Sequence, residues 1–139
     1  MNTRYLLRRL LFVVCCCAAF AAAGCDGMVS VDGWIVETSP EGASDITMSE
    51  KEVDQPKAGT IGNAWVELWT ADGDRLIDRM EPGIREDGYF HVMEVGLYER
   101  GMRYLIKAGA PGYQTVNEVV KLQKCGGDHA LITLAPVNP

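Results

Sequence analysis

Trp65, Glu67 and Trp69 alternate with Val66 and Leu68 in the run from Asn63 to Thr70. In a strand, Val66 and Leu68 face a core, and the two indoles share the opposite face with the carboxylate. Neighbours two apart on one face lie ~7 Å from each other, so the indoles stand ~13 Å apart. That spacing suits an extended ligand. The rings stack on sugars or anchor a protein partner, and the carboxylate accepts a hydrogen bond. The competing reading is that the segment from Ser39 to Thr60, or the Trp34 side chain, covers the indoles.

The other reactive residues make weaker constellations. His91 and His129 are the only histidines. A metal site needs several converging ligands, and these two sit in separate segments, so both read as surface residues. Cys125 and His129 pair a thiol with a base, but no third group to orient the base is indicated. An inert thiol is the simpler reading. Asp72, Asp74, Glu86 and Asp87 lie at turns. Calcium takes oxygen ligands from such loops, yet turn geometry alone explains Asp-Gly pairs, and no EF-hand spacing appears. The chain has no Gly-x-Ser-x-Gly elbow, phosphate loop or dinucleotide fingerprint. The expectation is a protein that is not an enzyme and takes no metal or cofactor.

The N-terminus states a destination. Arg4, Arg8 and Arg9 precede an apolar run from Leu10 to Ala23. A basic start, an apolar middle and small residues at the end make a secretory signal. The run is shorter than the ~20 residues of a spanning helix. It closes on Ala22, Ala23, Gly24 and Cys25, which resembles a bacterial lipobox, with alanine where leucine is usual three places before the cysteine. On that reading residues 1–24 are a lipoprotein signal peptide, Cys25 is acylated, and residues 25–27 are a short lipid-anchored tether. The alternative is ordinary cleavage after Ala23, leaving Cys25 and Cys125 as disulfide candidates in an oxidising compartment. The lipid places the chain on a membrane of the cell envelope, facing the periplasm or the exterior.

The chain has 139 residues, and the part after residue 24 is long enough for one domain with its own core. Removing Arg4, Arg8 and Arg9 leaves 10 basic residues against 19 acidic ones, a net charge of −9. That balance speaks against nucleic acid, whose binders carry a basic footprint, and fits a solvated envelope protein or one that meets a basic partner.

The positioning elements are short strands. Tyr104, Ile106, Ala108 and Ala110 alternate with Leu105, Lys107 and Gly109, and Pro111-Gly112 then turns the chain. Similar alternation marks strands over Met28–Glu37, Asn63–Thr70, Arg75–Met80, Tyr89–Met93, Gln114–Leu122 and Ala130–Leu134. Asp72-Gly73 reads as a hairpin turn, and Pro82-Gly83 as another turn. Ser39–Thr60, rich in Pro, Gly, Ser and alternating charges, reads as a long loop with room for a helical turn near Met48–Val53. Seven strands separated by turn signals predict an all-β sandwich.

Three pieces together resemble the carboxypeptidase regulatory-like domain, a transthyretin-like sandwich of seven strands. They are Val31-Asp32-Gly33-Trp34-Ile35 with Ala64-Trp65-Val66-Glu67-Leu68; Asp87-Gly88-Tyr89-Phe90; and Tyr104-x-Ile106-x-Ala108-x-Ala110-x-Gly112-Tyr113 with Ile132-Thr133-Leu134-Ala135-Pro136. The resemblance covers residues 28–137 and departs from the family at the long loop between the first two strands. It implies a fold more than a function, since members of that family are mostly non-catalytic modules beside enzymes, transporters and surface proteins; the partner expected is an envelope protein or, at the Trp65–Trp69 face, a glycan. The Tyr-Arg-Gly-Ser ending of catalytic relatives on a similar fold is replaced here by Ala135-Pro136-Val137-Asn138-Pro139.

Overall fold

The computed structural model describes residues 25–39, 41–81, 86–98, 101–122 and 127–137. Apolar residues at every second position give the central strands one inward face, and eight strands form among the described residues. They are β1 (Cys25–Glu37), β2 (Asp45–Ser49), β3 (Trp65–Thr70), β4 (Leu76–Met80), β5 (Tyr89–Tyr98), β6 (Arg103–Gly109), β7 (Val116–Lys121) and β8 (Asp128–Leu134). Two four-stranded sheets result, in the orders β2-β8-β1-β5 and β4-β3-β6-β7. Every pairing is antiparallel except β1 with β8. The chain is an all-β sandwich.

The core lies between the sheets. Val29, Val31 and Ile35 of β1, Phe90 and Val92 of β5, and Ile132 and Leu134 of β8 meet Val66 and Leu68 of β3 and Tyr104, Ile106 and Ala108 of β6. All are buried, so the alternation around Ile106 predicts its inward face correctly. Tyr104 keeps its hydroxyl satisfied by donating to Glu94 Oε2 at 3.0 Å, a bond from one sheet to the other. At the facing edges, Asp78 Oδ2 of β4 accepts the Met93 N–H of β5 at 2.8 Å. Tyr113 donates to Glu37 Oε2 at 2.8 Å, and that hydrogen bond holds its phenol above the ordinary pKa. At Gly33 the β1 backbone comes against β8 so closely that an added Cβ would sit 1.8 Å from the Ala130 carbonyl oxygen.

Two expectations are corrected. Among the described residues there are eight strands, because the segment expected as a long loop contains β2. Ile46 is buried, and β2 pairs with β8 along Asp45–Ser49. Met48 and Ser49 are extended in that strand, so no helical turn forms there. The segment's far end is tied down too: Glu37 N–H donates to the Gly59 carbonyl at 2.7 Å, Ile61 N–H to that of Ile35 at 2.9 Å, and Thr60 bridges Val36. Second, β1 begins at Cys25, three residues before Met28, and residues 25–27 pair with β5.

The Asp72-Gly73 turn forms between β3 and β4. Gly73 takes a φ of 78°, where side chains are disfavoured, and its N–H donates to the Thr70 carbonyl.

Candidate functional site

Trp65, Glu67 and Trp69 share the outer face of β3, as the alternation predicts. All three are half-buried. Trp34 lies on the outer face of the other sheet, and the cover over the indoles comes from neighbouring strands. Trp65 lies across Gly109 of β6, where an added Cβ would meet its ring at 2.8 Å. Lys107 Nζ sits 4.0 Å from the Trp69 ring centroid, a cation–π contact. Glu67 Oε2 accepts the Trp69 indole N–H at 2.8 Å, and Oε1 pairs with Arg79 Nη1 at 3.4 Å. Both carboxylate oxygens therefore have partners within the sheet. The face presents two braced indoles, with Arg79 shared between Glu67 and Glu81, whose Oε1 lies 3.1 Å from Arg79 Nε.

A second constellation lies on the outer face of the other sheet. The register places Asp32 of β1 beside His91 of β5 and His129 of β8. Two residues on, Trp34 stands beside Tyr89. Tyr89 donates its hydroxyl to Asp32 Oδ2 at 3.0 Å, and His129 Nδ1 meets Asp32 Oδ1 at 2.5 Å. The Trp34 and Tyr89 rings pack edge to face, with centroids 5.3 Å apart. The Trp34 indole N–H donates to the Val53 carbonyl at 3.0 Å, drawing residues 52–55 over the sheet as a strap. Between strap and sheet is a cleft of about 190 Å³ with Asp32, Trp34, Tyr89 and His129 on its sheet side.

The chemistry of the second site follows from its hydrogen bonds. One carboxylate holds a phenol and an imidazole at once, fixing all three. With Nδ1 turned to Asp32, the other ring nitrogen of His129 is the one left for a ligand. Sequence reasoning places His129 on the surface and gives Asp32 no role. The available signal was a charged residue and an indole, Asp32 and Trp34, two positions apart on the outer face of β1.

The remaining candidates fall into place singly. His91 is exposed and Phe90 beside it is buried. Asp72 is a turn residue: Thr70 donates to its Oδ1 at 2.6 Å and the Asp74 N–H at 3.1 Å, and these bonds hold its carboxyl below the usual range. Asp87 Oδ1 accepts the Tyr89 N–H at 3.1 Å. Among the described residues, no group of three His, Cys, Asp or Glu side chains converges as a metal site. Residues 1–24, Pro82-Gly83 and Cys125 lie outside the described residues.

No family model matches the chain, and no curated protein matches it. Among solved structures, it is similar to the dioxygenase domain of a dioxygenase carbohydrate-binding protein fusion from the cellulolytic bacterium Streptomyces sp. SirexAA-E. The identity is 13%, the match covers 82% of each chain, and the TM-score is 0.44. That likeness carries nothing about what this chain binds or does.

Proposed function

We propose that this chain is a non-catalytic binding or structural module of a bacterial cell envelope, held to a membrane by an acylated Cys25. Its sandwich is read as the transthyretin-like one of carboxypeptidase regulatory-like domains, with β2 added. The observation that supports the reading most is the position of Cys25. It follows an apolar run and three small residues in the sequence and heads β1 in the fold. A lipid there joins directly to a strand, so the domain stands against the membrane surface.

Mass spectrometry of the purified protein should find an acylated N-terminal cysteine, and Cys25→Ala should move the protein from the membrane to the soluble fraction. A mature chain beginning at Gly24 with a Cys25–Cys125 disulfide would reject the anchor.

A second reading, a glycan binder, is supported by the braced pair Trp65 and Trp69. Indoles fixed before binding cost less to order when a sugar arrives. Electrophoresis through gels containing soluble envelope polysaccharide should retard the wild type, and Trp65→Ala with Trp69→Ala should abolish the retardation while leaving a cooperative melt. Equal mobility with and without polysaccharide excludes a glycan at this face.

A further inference from the structure

The described lining of the cleft over Asp32 is acidic. Asp32 lies on its sheet side, and Glu52 and Asp54 line it from the strap, both exposed. Neither Lys51 nor Lys57, which flank the strap in sequence, is in the lining, and among the described residues no other lysine or arginine is. The remaining wall includes the rings of Trp34 and Tyr89 and the imidazole of His129. Concave walls of one charge focus the field between them, and aromatic rings attract cations to their faces. An anion entering would face acidic residues on both walls, with only the Asp32-bound imidazole of His129 to offset them. A cation meets that acidic lining with ring surface beside it.

We infer that this cleft binds a small organic cation, a primary ammonium or guanidinium group. Its geometry favours an organic cation over a metal ion. The lining mixes aromatic surface with hydrogen-bond acceptors, whereas a metal site needs several ligands converging at short range. The volume of about 190 Å³ equals about six waters at ~30 Å³ each. That suits a butylammonium ion or the end of a lysine or arginine side chain. The ammonium group has three N–H donors; the Asp32 carboxylate offers acceptor lone pairs on the sheet side, and Gln55 is also in the lining. Tyr89 and His129 hold that carboxylate in place before a ligand arrives, which lowers the cost of binding. The Trp34 bond to Val53 does the same for the strap. This cleft is separate from the Trp65–Trp69 face, and its occupancy does not depend on acylation of Cys25.

The test is calorimetric titration of the full chain, in detergent micelles, with butylammonium, butanol and butyrate. These probes are alike in shape and differ in charge. Butylammonium should give saturable heat, with the other two at least about tenfold weaker. Glu52→Gln with Asp54→Asn alters only exposed strap residues. It should weaken butylammonium binding several-fold without changing the melting temperature, and Asp32→Asn should weaken it further. The peptide acetyl-Gly-Lys-Gly-amide then separates the sources: tighter binding than butylammonium points to a basic protein segment, weaker binding to a free amine. Butanol or butyrate binding as tightly as butylammonium would overturn the proposal. So would the absence of saturable heat with butylammonium, or unchanged binding in the folded strap variant.

Discussion

Gly33→Ala is expected to abolish cooperative folding. The new methyl carbon would lie 1.8 Å from the Ala130 carbonyl oxygen and 2.8 Å from its carbon. Both are backbone atoms, so no side-chain rotation relieves the clash. Nor can β1 step aside, because Gly33 is paired with Phe90 on one flank and Ala130 on the other. Moving β1 away from β8 breaks their ladder, and moving it out of plane drives Val31 and Ile35 from the core. Losses above ~4 kcal/mol are exceptional for one substitution, but total stabilities run only ~5–15 kcal/mol, so a backbone clash in the middle of a sheet can take most of it. Urea denaturation followed by circular dichroism should show no folded baseline. Gly112→Ala is the control: its φ is 83° but nothing lies within 4 Å of the added carbon, so the cost is backbone strain alone, ~1–2 kcal/mol. A Gly33→Ala protein as stable as the Gly112→Ala control would mean that β1 and β8 do not pair as described.

Ile106→Ala should cost ~2–5 kcal/mol, the range for truncating a buried aliphatic side chain. Ile106 is fully buried on β6 opposite Leu68 of β3, and its methyl groups fill space between two sheets that cannot easily close up. Its neighbour Lys107 faces outward over Trp69. Lys107→Ala loses that cation–π contact, ~0.5–1 kcal/mol at an exposed site. Denaturant midpoints of the two variants measure the difference. Equal losses at both positions would place β6 out of register by one residue, since one step exchanges the two faces of a strand.

The part of this architecture legible in the sequence is the part with strong alternation. Tyr104, Ile106 and Ala108 could be assigned inward because Lys107 fixes the opposite face as the outer one, and the burial agrees. β2 was hidden because it is a short edge strand with one buried side chain, Ile46, between charged and turn-forming segments. Its extended form comes from pairing with β8, a tertiary cause that local propensity does not carry. The Trp65–Glu67–Trp69 face was legible for the same reason as β6, but its bracing was not: Arg79 and Lys107 come from flanking strands. The cleft was the least legible. Asp32, Tyr89 and His129 come from β1, β5 and β8, and only register across three strands makes them neighbours. A lone histidine after a Gly-Gly pair looks like surface until its lateral partner is known.

The parallel pairing of β1 with β8 also sets an order of events during synthesis. The seam joins Val31–Glu37 to Asp128–Leu134, segments about as far apart as this chain allows. While the ribosome is still making the protein, β1 has β5 on one side and an open edge on the other, and β2 has no partner strand at all. Contacts between distant segments form slowly, so the first sheet stays incomplete until its last strand arrives. For a chain exported as proposed, the delay is useful, because the polypeptide remains threadable until it has crossed. The same wiring makes the tail indispensable. A protease that removed residues 128–134 would take the strand seated between β2 and β1, detaching one neighbour and exposing the backbone of the other to pairing with a second chain.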